Sequence, residues 1–248
     1  MNWLAPIFTD LALLARPALF NLYFAIAAIP AGFVLAIFLA LGKASRLPLL
    51  SRLSRIYIYF FRGSPFFIQL FAFYSLALAF NLSLWKPLGI DWFVLNPLFL
   101  GPAILALNTT AYTAEIFYGA LLTVPRGEQE AARAYGMSRA QRFRAITWPH
   151  LIRIAWPAYT NEVVFLFQAT SLIYFTLPVI GDQRDLMSMA GDLFARDYNV
   201  FLHFSVAALY FLVISLAIFY LFGLIYRRLM RHMPQAARMK FTMRRIFS

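Results

Sequence analysis

Three ionisable side chains lie inside long apolar stretches of the sequence: Arg62, Glu115 and Glu162. Charged groups are costly in hydrocarbon, so such side chains usually face a partner of opposite charge or a polar cavity. Counted from the ends of their apolar stretches, all three lie at a similar depth, within about one helical turn of each other. We therefore predict that Arg62 pairs with Glu115 or Glu162. The alternative is that Arg62 and Glu162 each extend separately to the membrane interface. Glu115 lies too deep, and its side chain is too short, to do the same.

The composition indicates that these stretches lie in a lipid bilayer. Of 248 residues, 62% are hydrophobic and only 13% are charged, whereas a soluble domain is about half apolar and a quarter charged. There is no cysteine, and the three histidines are isolated from one another, so no disulfide, thiol chemistry or metal site is predicted. The sequence contains no GxxxxGK[ST] phosphate loop, so ATP hydrolysis by that route is excluded. No enzyme activity and no cofactor are expected.

The apolar runs predict an all-α membrane protein with five transmembrane helices in a single domain, residues 1–248. Each run can cross a hydrocarbon core about 30 Å thick at about 1.5 Å per residue. Pro30 lies inside the first run and predicts a kink, because neighbouring helices can satisfy the carbonyl that a proline frees. Pro65 interrupts the second run near its start. The predicted spans are residues 17–42, 57–80, 98–122, 156–178 and 201–226, with a polar loop at 123–155.

The distribution of Lys and Arg predicts the orientation. Because successive spans cross in opposite directions, three segments lie on the same side of the membrane: 43–56, 123–155 and 227–248. Together they hold seventeen Lys and Arg residues, whereas the opposite side holds four. Positive residues mark the cytoplasmic side, so we predict an outside N-terminus and a cytoplasmic C-terminus. The net charge of +12 is thereby explained by topology, with a contribution from anionic lipid binding by the basic tail. No nucleic-acid partner is expected, because no basic module interleaved with aromatic residues is present.

The polar loop has its own local structure. Residues 127–135 are rich in good helix formers. Gly136 follows where a helix C-terminus favours a residue that tolerates positive φ. Ser138 can cap a second short helix over residues 138–144, and Pro149 limits how far that helix continues. The prediction is a helix, a sharp turn and another short helix on one face of the membrane.

The same loop carries a longer pattern: Glu-Ala-Ala, three residues, Gly, nine residues, Ile, two residues and Pro. It resembles the cytoplasmic EAA loop of permease subunits of ABC importers, with Trp148 where that family usually has Leu. The flanking stretches FFRGSPFFIQLF (60–71), NTTAYTAEIFYGALLTVPRGEQEAA (108–132) and NEVVFLFQATSL (161–172) are similar to polar amino-acid permeases, closest to those for histidine, lysine, arginine, ornithine or opines. The motif residues are Glu130, Ala131, Ala132, Gly136, Ile146 and Pro149.

The resemblance, which covers roughly residues 17–230, implies a bacterial inner-membrane protein that acts in an assembly. The expected partners are a second permease, identical or related, two ABC ATPase subunits and an external substrate-binding protein. The EAA loop lies between the third and fourth spans, and it would insert a coupling helix into a groove of the ATPase. In that interpretation Ala131 and Ala132 allow close approach, Glu130 offers one charged contact, and Gly136 permits the turn.

Polar side chains in the third and fourth spans have two interpretations. They can hydrogen-bond within or between helices, or they can line a path for a zwitterionic amino acid. If the cargo is cationic, Glu115 is the anionic candidate, although Arg62 can hold it instead. The family often has charged residues where this chain has Gln168 and Ala169. The candidate pathway residues are Asn108, Thr110, Tyr112, Glu115, Asn161, Gln168, Thr170 and Ser171.

A secondary amino-acid transporter or channel that acts without an ATPase is the alternative function. It would explain the apolar spans and the intramembrane charges. Such proteins usually carry internal repeats or discontinuous half-helices, which the sequence does not reveal, and the EAA spacing would have no explanation.

Overall fold

The computed structural model describes residues 5–178 and 183–231, and this part of the chain is predominantly helical. The basic tail from residue 232 onward, on which part of the orientation argument rests, lies outside these ranges, as does Asp182. The helices are α1 Ala5–Lys43, α2 Pro48–Gly63, α3 Phe66–Ala79, α4 Asp91–Val94, α5 Pro97–Leu122, α6 Arg126–Ala134, α7 Arg139–Arg142, α8 Trp148–Ala169, α9 Leu186–Asp197 and α10 Val200–Leu229.

Helices α1 and α5 form the centre of the bundle. Small residues let their backbones approach closely: a Cβ on Gly32 of α1 would overlap the side chain of Thr109 on α5. Nearby, the Thr110 hydroxyl lies 3.4 Å from the Gly32 carbonyl and donates to the Ala106 carbonyl at 2.6 Å. Lipid tails are as apolar as leucine, so helices in a bilayer associate through such close packing and interhelical hydrogen bonds.

The second apolar run is not one straight helix. It lies on α2 and α3, which meet at 108° across a break of Ser64 and Pro65. Ser64 has extended backbone angles, φ −114° and ψ 143°, as expected for a residue before proline. The buried Gln69 holds the break, because its Nε2 donates to the carbonyls of Phe61 (2.7 Å) and Ser64 (2.9 Å). The interruption was predicted at this position, whereas the sharp angle was not.

By length and apolar composition, α1 and α10 are each sufficient to cross a membrane, and the bent pair α2–α3 makes a third candidate. The prediction of an all-helical membrane-type fold is therefore confirmed. The count of five spans and the orientation of the termini stay predictions. Pro30 lies inside α1, which continues as one helix from Ala5 to Lys43.

Two predicted boundaries were wrong. Pro149 does not stop a short helix: a π-helical turn at Phe143–Thr147 joins α7 to α8, and Pro149 lies in the first turn of α8. A proline is tolerated there because its missing N–H is one of the unsatisfied donors of a helix start. The second boundary is the end of the fourth span, which was predicted at residue 178. The α8 helix ends at Ala169 and is followed by a 3₁₀ helix at Thr170–Phe175. The segment between the predicted fourth and fifth spans, residues 179–200, contains α9.

At the end of the bundle opposite α6, polar bonds tie α1 to α9 and α10. The fully buried Asn21 donates to Thr170 Oγ1 at 3.0 Å and accepts from the Leu186 backbone N–H at 2.8 Å. His203 lies between two carboxylates, with Nδ1 2.5 Å from Asp10 and Nε2 2.8 Å from Asp197. Since both ring nitrogens face carboxylate oxygens, the geometry is that of an imidazolium donating twice.

Candidate functional site

Glu115, on the central helix α5, is bound mainly by Lys43 at the end of α1. Lys43 Nζ lies 2.7 Å from Glu115 Oε1 and 2.5 Å from Oε2. Arg62 lies farther away, with Nη1 3.9 Å from Oε2. The predicted contact between Arg62 and Glu115 is therefore present. The closer partner of Glu115 is Lys43, which the sequence analysis placed in the basic segment 43–56. The Lys43 side chain is 10% exposed and the Glu115 side chain 31% exposed, so this pair is partly removed from solvent.

Aromatic rings accompany both cations. Lys43 Nζ is 4.2 Å from the centre of the Tyr118 ring, and the Arg62 guanidinium carbon is 5.4 Å from the centre of the Tyr112 ring. Such contacts are attractive because the ring face is electron-rich. The open space next to this cluster, the Glu115 cavity, has a volume of about 490 Å³; it is lined by Lys43, Arg55, Ile58, Tyr59, Arg62, Gly63, Tyr112 and Glu115.

A second space, the Glu162 cavity, has a volume of about 340 Å³ and shares Tyr112 with the first. Glu162 accepts a hydrogen bond from Thr109 at 2.8 Å, which leaves the other carboxylate oxygen without a hydrogen-bond partner among the described residues. Mixed polar and apolar walls around one carboxylate suit a ligand with a positive group. The lining residues are Phe66, Asn108, Tyr112, Glu162, Phe165, Leu166, Gln168, Ala169, Ser171 and Leu172.

The candidate pathway residues divide into those that face these cavities and those that do not. Asn108, Tyr112, Gln168 and Ser171 line the Glu162 cavity, and Tyr112 and Glu115 line the Glu115 cavity. Thr110 and Thr170 are instead buried between helices, where both satisfy backbone carbonyls. Asn161 is exposed and lines neither cavity.

The EAA loop forms a compact helix–turn–helix. Gly136 has φ +75°, the left-handed conformation predicted for it. Ser138 caps α7 and forms a capping box with Gln141, also as predicted. On α6, Glu130 and Ala131 are exposed, whereas Ala132 is only 4% exposed. Ala132 thus packs against its own chain, since successive helical positions face directions about 100° apart.

The second half of the motif anchors the loop to the bundle. Gln129 Nε2 donates to Thr147 Oγ1 at 2.9 Å, which joins α6 to the π-helical turn. Ile146 and Pro149 are half-buried in this joint, and Trp148 between them packs against the core cluster of α1, α5 and α8. A groove of about 610 Å³ runs beside α6; it is lined by Leu41, Ala44, Leu121, Leu122, Val124, Arg126, Gln129, Glu130, Arg133 and Thr147.

Comparison with known proteins identifies the family. The sequence model for the inner-membrane component of binding-protein-dependent transport systems matches residues 11–231. The chain belongs to this family. Its members include the permease subunits of ABC transporters, which are membrane transport components rather than enzymes, with ATP hydrolysis in a separate subunit.

Similar sequences are permeases of two related transport systems. The HisM permease of the histidine/lysine/arginine/ornithine system of Escherichia coli K12 is 39% identical over 223 residues, which covers 88% of this chain and 89% of HisM. The OccM permease of the octopine system of Rhizobium radiobacter is 37% identical over 207 residues, covering 82% and 80%. The resemblance inferred from the EAA spacing and its flanks is therefore confirmed.

Solved structures agree with this assignment. A crystal structure of an amino acid ABC transporter with histidines matches with a TM-score of 0.73 and 25% identity, and covers 92% of this chain and 99% of the other. The MetNI methionine ABC transporter, in an inward-facing form, matches with a TM-score of 0.57, 18% identity and coverage of 90% and 94%. At that lower identity the likeness concerns the fold alone.

Two residues of the site were missed by sequence reasoning. Lys43 closes an apolar run, and a lysine at such a position usually reaches the interface, so nothing in the pattern indicated a partner 72 residues away. The sequence contains a clearer signal for Gln69 than for Lys43, because Gln69 is a lone amide within the apolar stretch FFIQLFAF. A polar group in such a stretch requires a hydrogen-bond partner, and that signal identifies it without a structure.

Proposed function

We propose that this chain is a permease subunit of an ATP-driven importer for basic amino acids or opines. The observation that carries the proposal is the Glu162 carboxylate, which lies in a cavity with Asn108 and Gln168. A carboxylate can bind a guanidinium or ammonium side chain, and the amides can bind the polar groups of an amino acid. The names of the similar HisM and OccM systems, which include arginine, ornithine and octopine, support the same substrate class.

The proposed topology has five crossings of a bacterial inner membrane: α1, the α2–α3 pair, α5, α8 and α10. The N-terminus is external and the C-terminus cytoplasmic. The lysine and arginine bias along the chain supports this orientation. Helix α6 then lies on the cytoplasmic side, next to the ends of α1 and α5 that line its groove.

In the proposed assembly, two permeases form the pathway, two ATPases bind below them, and a binding protein delivers cargo from outside. Glu130 and Ala131 on the exposed face of α6 contact the ATPase, and Gly136 sets the angle of the turn behind it. The Gln129–Thr147 bond and the π-helical turn carry the movement of α6 into α8. Since Glu162 is on α8, the same movement changes access to the cavity.

Reconstitution tests this function. The chain is co-expressed with the ATPase, second permease and binding protein encoded next to it, and the purified complex is placed in liposomes. We expect ATP-dependent uptake of arginine that falls at least about tenfold in Glu162→Gln, because the carboxylate is lost. Glu162→Gln should leave co-purification of the ATPase unchanged, which separates a loss of cargo binding from a loss of assembly. Uptake by the chain alone, without an ATPase, would overturn the proposal in favour of a secondary transporter.

A further inference from the structure

A cavity of about 340 Å³ lies between α1 and the segment that contains α9, at the end of the bundle opposite α6. It shares no lining residue with the two cavities that meet at Tyr112. We call it the outer arginine cavity. Its walls include the charged side chains of Arg16, Arg184, Asp192 and Arg196 and the apolar side chains of Leu13 and Phe20. The cavity therefore combines a basic wall with an apolar one.

The basic side chains of this cavity are unusual for their side of the membrane. The side predicted to be external holds only four Lys and Arg residues, and three of them line this one cavity; the fourth is Lys86. Arg184 forms an ion pair with Asp192. Arg16 and Arg196 are exposed and make no hydrogen bond or ion pair with another described residue. Among the described residues, the cavity therefore has an excess of two positive charges.

Other carboxylates at this end of the bundle have other partners. Asp10 and Asp197 flank the His203 ring, and Asp185 caps the start of α9. Asp192 is the one carboxylate among the described residues that line the cavity. Cations that lie close together repel each other unless an anion is bound between them. The arrangement of charges therefore favours the binding of an anion.

Arg16 lies at the depth of lipid headgroups. At about 1.5 Å per residue, α1 covers about 40 Å between Arg16 and Lys43, close to the thickness of a bilayer with its headgroups, about 40–45 Å. From Arg16 towards Lys43, the same face of α1 carries Phe20, Tyr23 and Ala27. Tyr23 and Ala27 are exposed, so an apolar surface continues from the cavity into the predicted span. A ligand with both an anionic group and an acyl chain matches these two parts.

We propose that the outer arginine cavity binds the phosphate group of an anionic phospholipid, whose acyl chains lie along α1. A guanidinium can bind two phosphate oxygens through parallel N–H groups, and those of Arg16 and Arg196 are not bound to other described residues. Since Arg16 is on α1 and Arg196 is on α9, the bound lipid joins the two helices. An acidic side chain of a partner protein would balance the charge but would leave the apolar wall uncovered. This lipid site is separate from the transport function and does not depend on which cargo is carried.

Photolabelling tests this site on the purified full chain in detergent, with a phosphatidylglycerol that carries a photoreactive acyl chain. Mass spectrometry of peptides locates the label, and its dependence on lipid concentration gives the affinity. We expect label on the outer half of α1, with an affinity that falls about fivefold in Arg16→Gln and about thirtyfold in Arg16→Gln/Arg196→Gln. Phosphatidylethanolamine has no net charge, so with the same acyl chains it should label this segment more weakly.

Two further variants separate the charge of the cavity from net charge and from folding. Lys86→Gln removes the fourth external basic residue, which is exposed and outside the cavity, and should change the affinity less than about twofold. Asp192→Asn releases Arg184 from its ion pair, so the affinity should rise about fivefold. The side chains of this pair are 37% and 40% exposed, so its loss costs little stability. A misfolded chain would not gain affinity.

Three results would overturn the proposal. Unchanged labelling of α1 in the double variant would mean that the arginines do not hold the lipid; loss of the binding protein from the same variant would then assign the cavity to an acidic protein surface. Competition by glycerophosphoglycerol, the soluble headgroup without acyl chains, as strong as that by unlabelled phosphatidylglycerol would mean that a free anion suffices. Weaker labelling in Asp192→Asn would mean that excess positive charge does not drive binding. None of these readouts involves transport, so a failure of the proposed function is distinguished from each of them.

Discussion

Asn108 Nδ2 donates a hydrogen bond to Gln69 Oε1 at 2.8 Å, which joins the wall of the Glu162 cavity to the break between α2 and α3. Gln69 also donates to the carbonyls of Phe61, on α2, and of Ser64, within the break. One buried amide thus connects a cavity-lining side chain of α5 to the angle of the bent helix pair.

Replacement of Gln69 should weaken the bent pair. Gln69→Leu leaves buried carbonyls of α2 and the break without donors, and we expect it to lower the free energy of unfolding by about 2 kcal/mol. Gln69→Glu is the closest comparison, because it keeps an acceptor for Asn108 but no amide donors. Thermal unfolding of the purified protein in detergent measures both. Equal stability of Gln69→Leu and the wild type would show that these bonds are not required to hold the angle.

Lys43 should matter more for stability than Arg62. Lys43→Met removes the close partner of Glu115 and strands a partly buried carboxylate, so we expect a loss of about 2 to 3 kcal/mol in the free energy of unfolding, less than for a fully buried pair. The double variant Lys43→Met/Glu115→Leu should recover most of this loss. Lys86→Met, on an exposed lysine, controls for removal of a positive charge. A larger loss in Arg62→Gln than in Lys43→Met would contradict the assignment of partners.

The neighbouring alanines of the EAA motif should respond differently to the same substitution. Ala131 is exposed, so Ala131→Trp should abolish co-purification of the ATPase while leaving the unfolding temperature of the chain unchanged. Ala132 is buried, so Ala132→Trp should destabilise the chain itself by about 1 to 3 kcal/mol through overpacking. Ala79→Trp, at an exposed position at the end of α3, is the control. Retention of the ATPase by Ala131→Trp would count against docking through this face.

Asp185 should make stability depend on pH. Burial raises the pKa of this N-cap carboxyl from 3.8 to about 6. The folded state therefore binds a proton more readily than the unfolded one, so stability falls as pH rises from about 4 to about 6. Asp185→Asn keeps a capping oxygen for the Ser188 N–H without this cost, and should be more stable at pH 7.5 by up to about 3 kcal/mol.

Thermal unfolding of the wild type and Asp185→Asn from pH 4 to pH 8 measures this dependence. The two curves should converge near pH 4, separate between about pH 4 and pH 6, and stay apart by a constant amount above pH 6. Asp185→Ala loses both the charge and the cap, so it should fall below Asp185→Asn at every pH by about 1 kcal/mol. Parallel curves for the wild type and Asp185→Asn would mean that this carboxyl does not titrate as described.

The sequence alone determined the features that depend on neighbouring residues and on spacing. The EAA pattern with its flanks identified the family, and the turn at Gly136 and the cap at Ser138 followed from local backbone preferences. Both features depend on one residue and its neighbours. A φ of +75° favours glycine, and the free N–H groups at a helix start favour a capping side chain such as serine. The interruption at Pro65 was predictable for the same reason.

Only the tertiary structure decided which polar side chains meet. The rotation of each helix about its axis separates Asn108, which faces a cavity, from Thr110, two residues later, which is buried against α1. The Lys43–Glu115 pair and the 108° angle between α2 and α3 depend in the same way on how distant segments pack. Such packing is set by the shapes of many side chains at once, and no local pattern contains it.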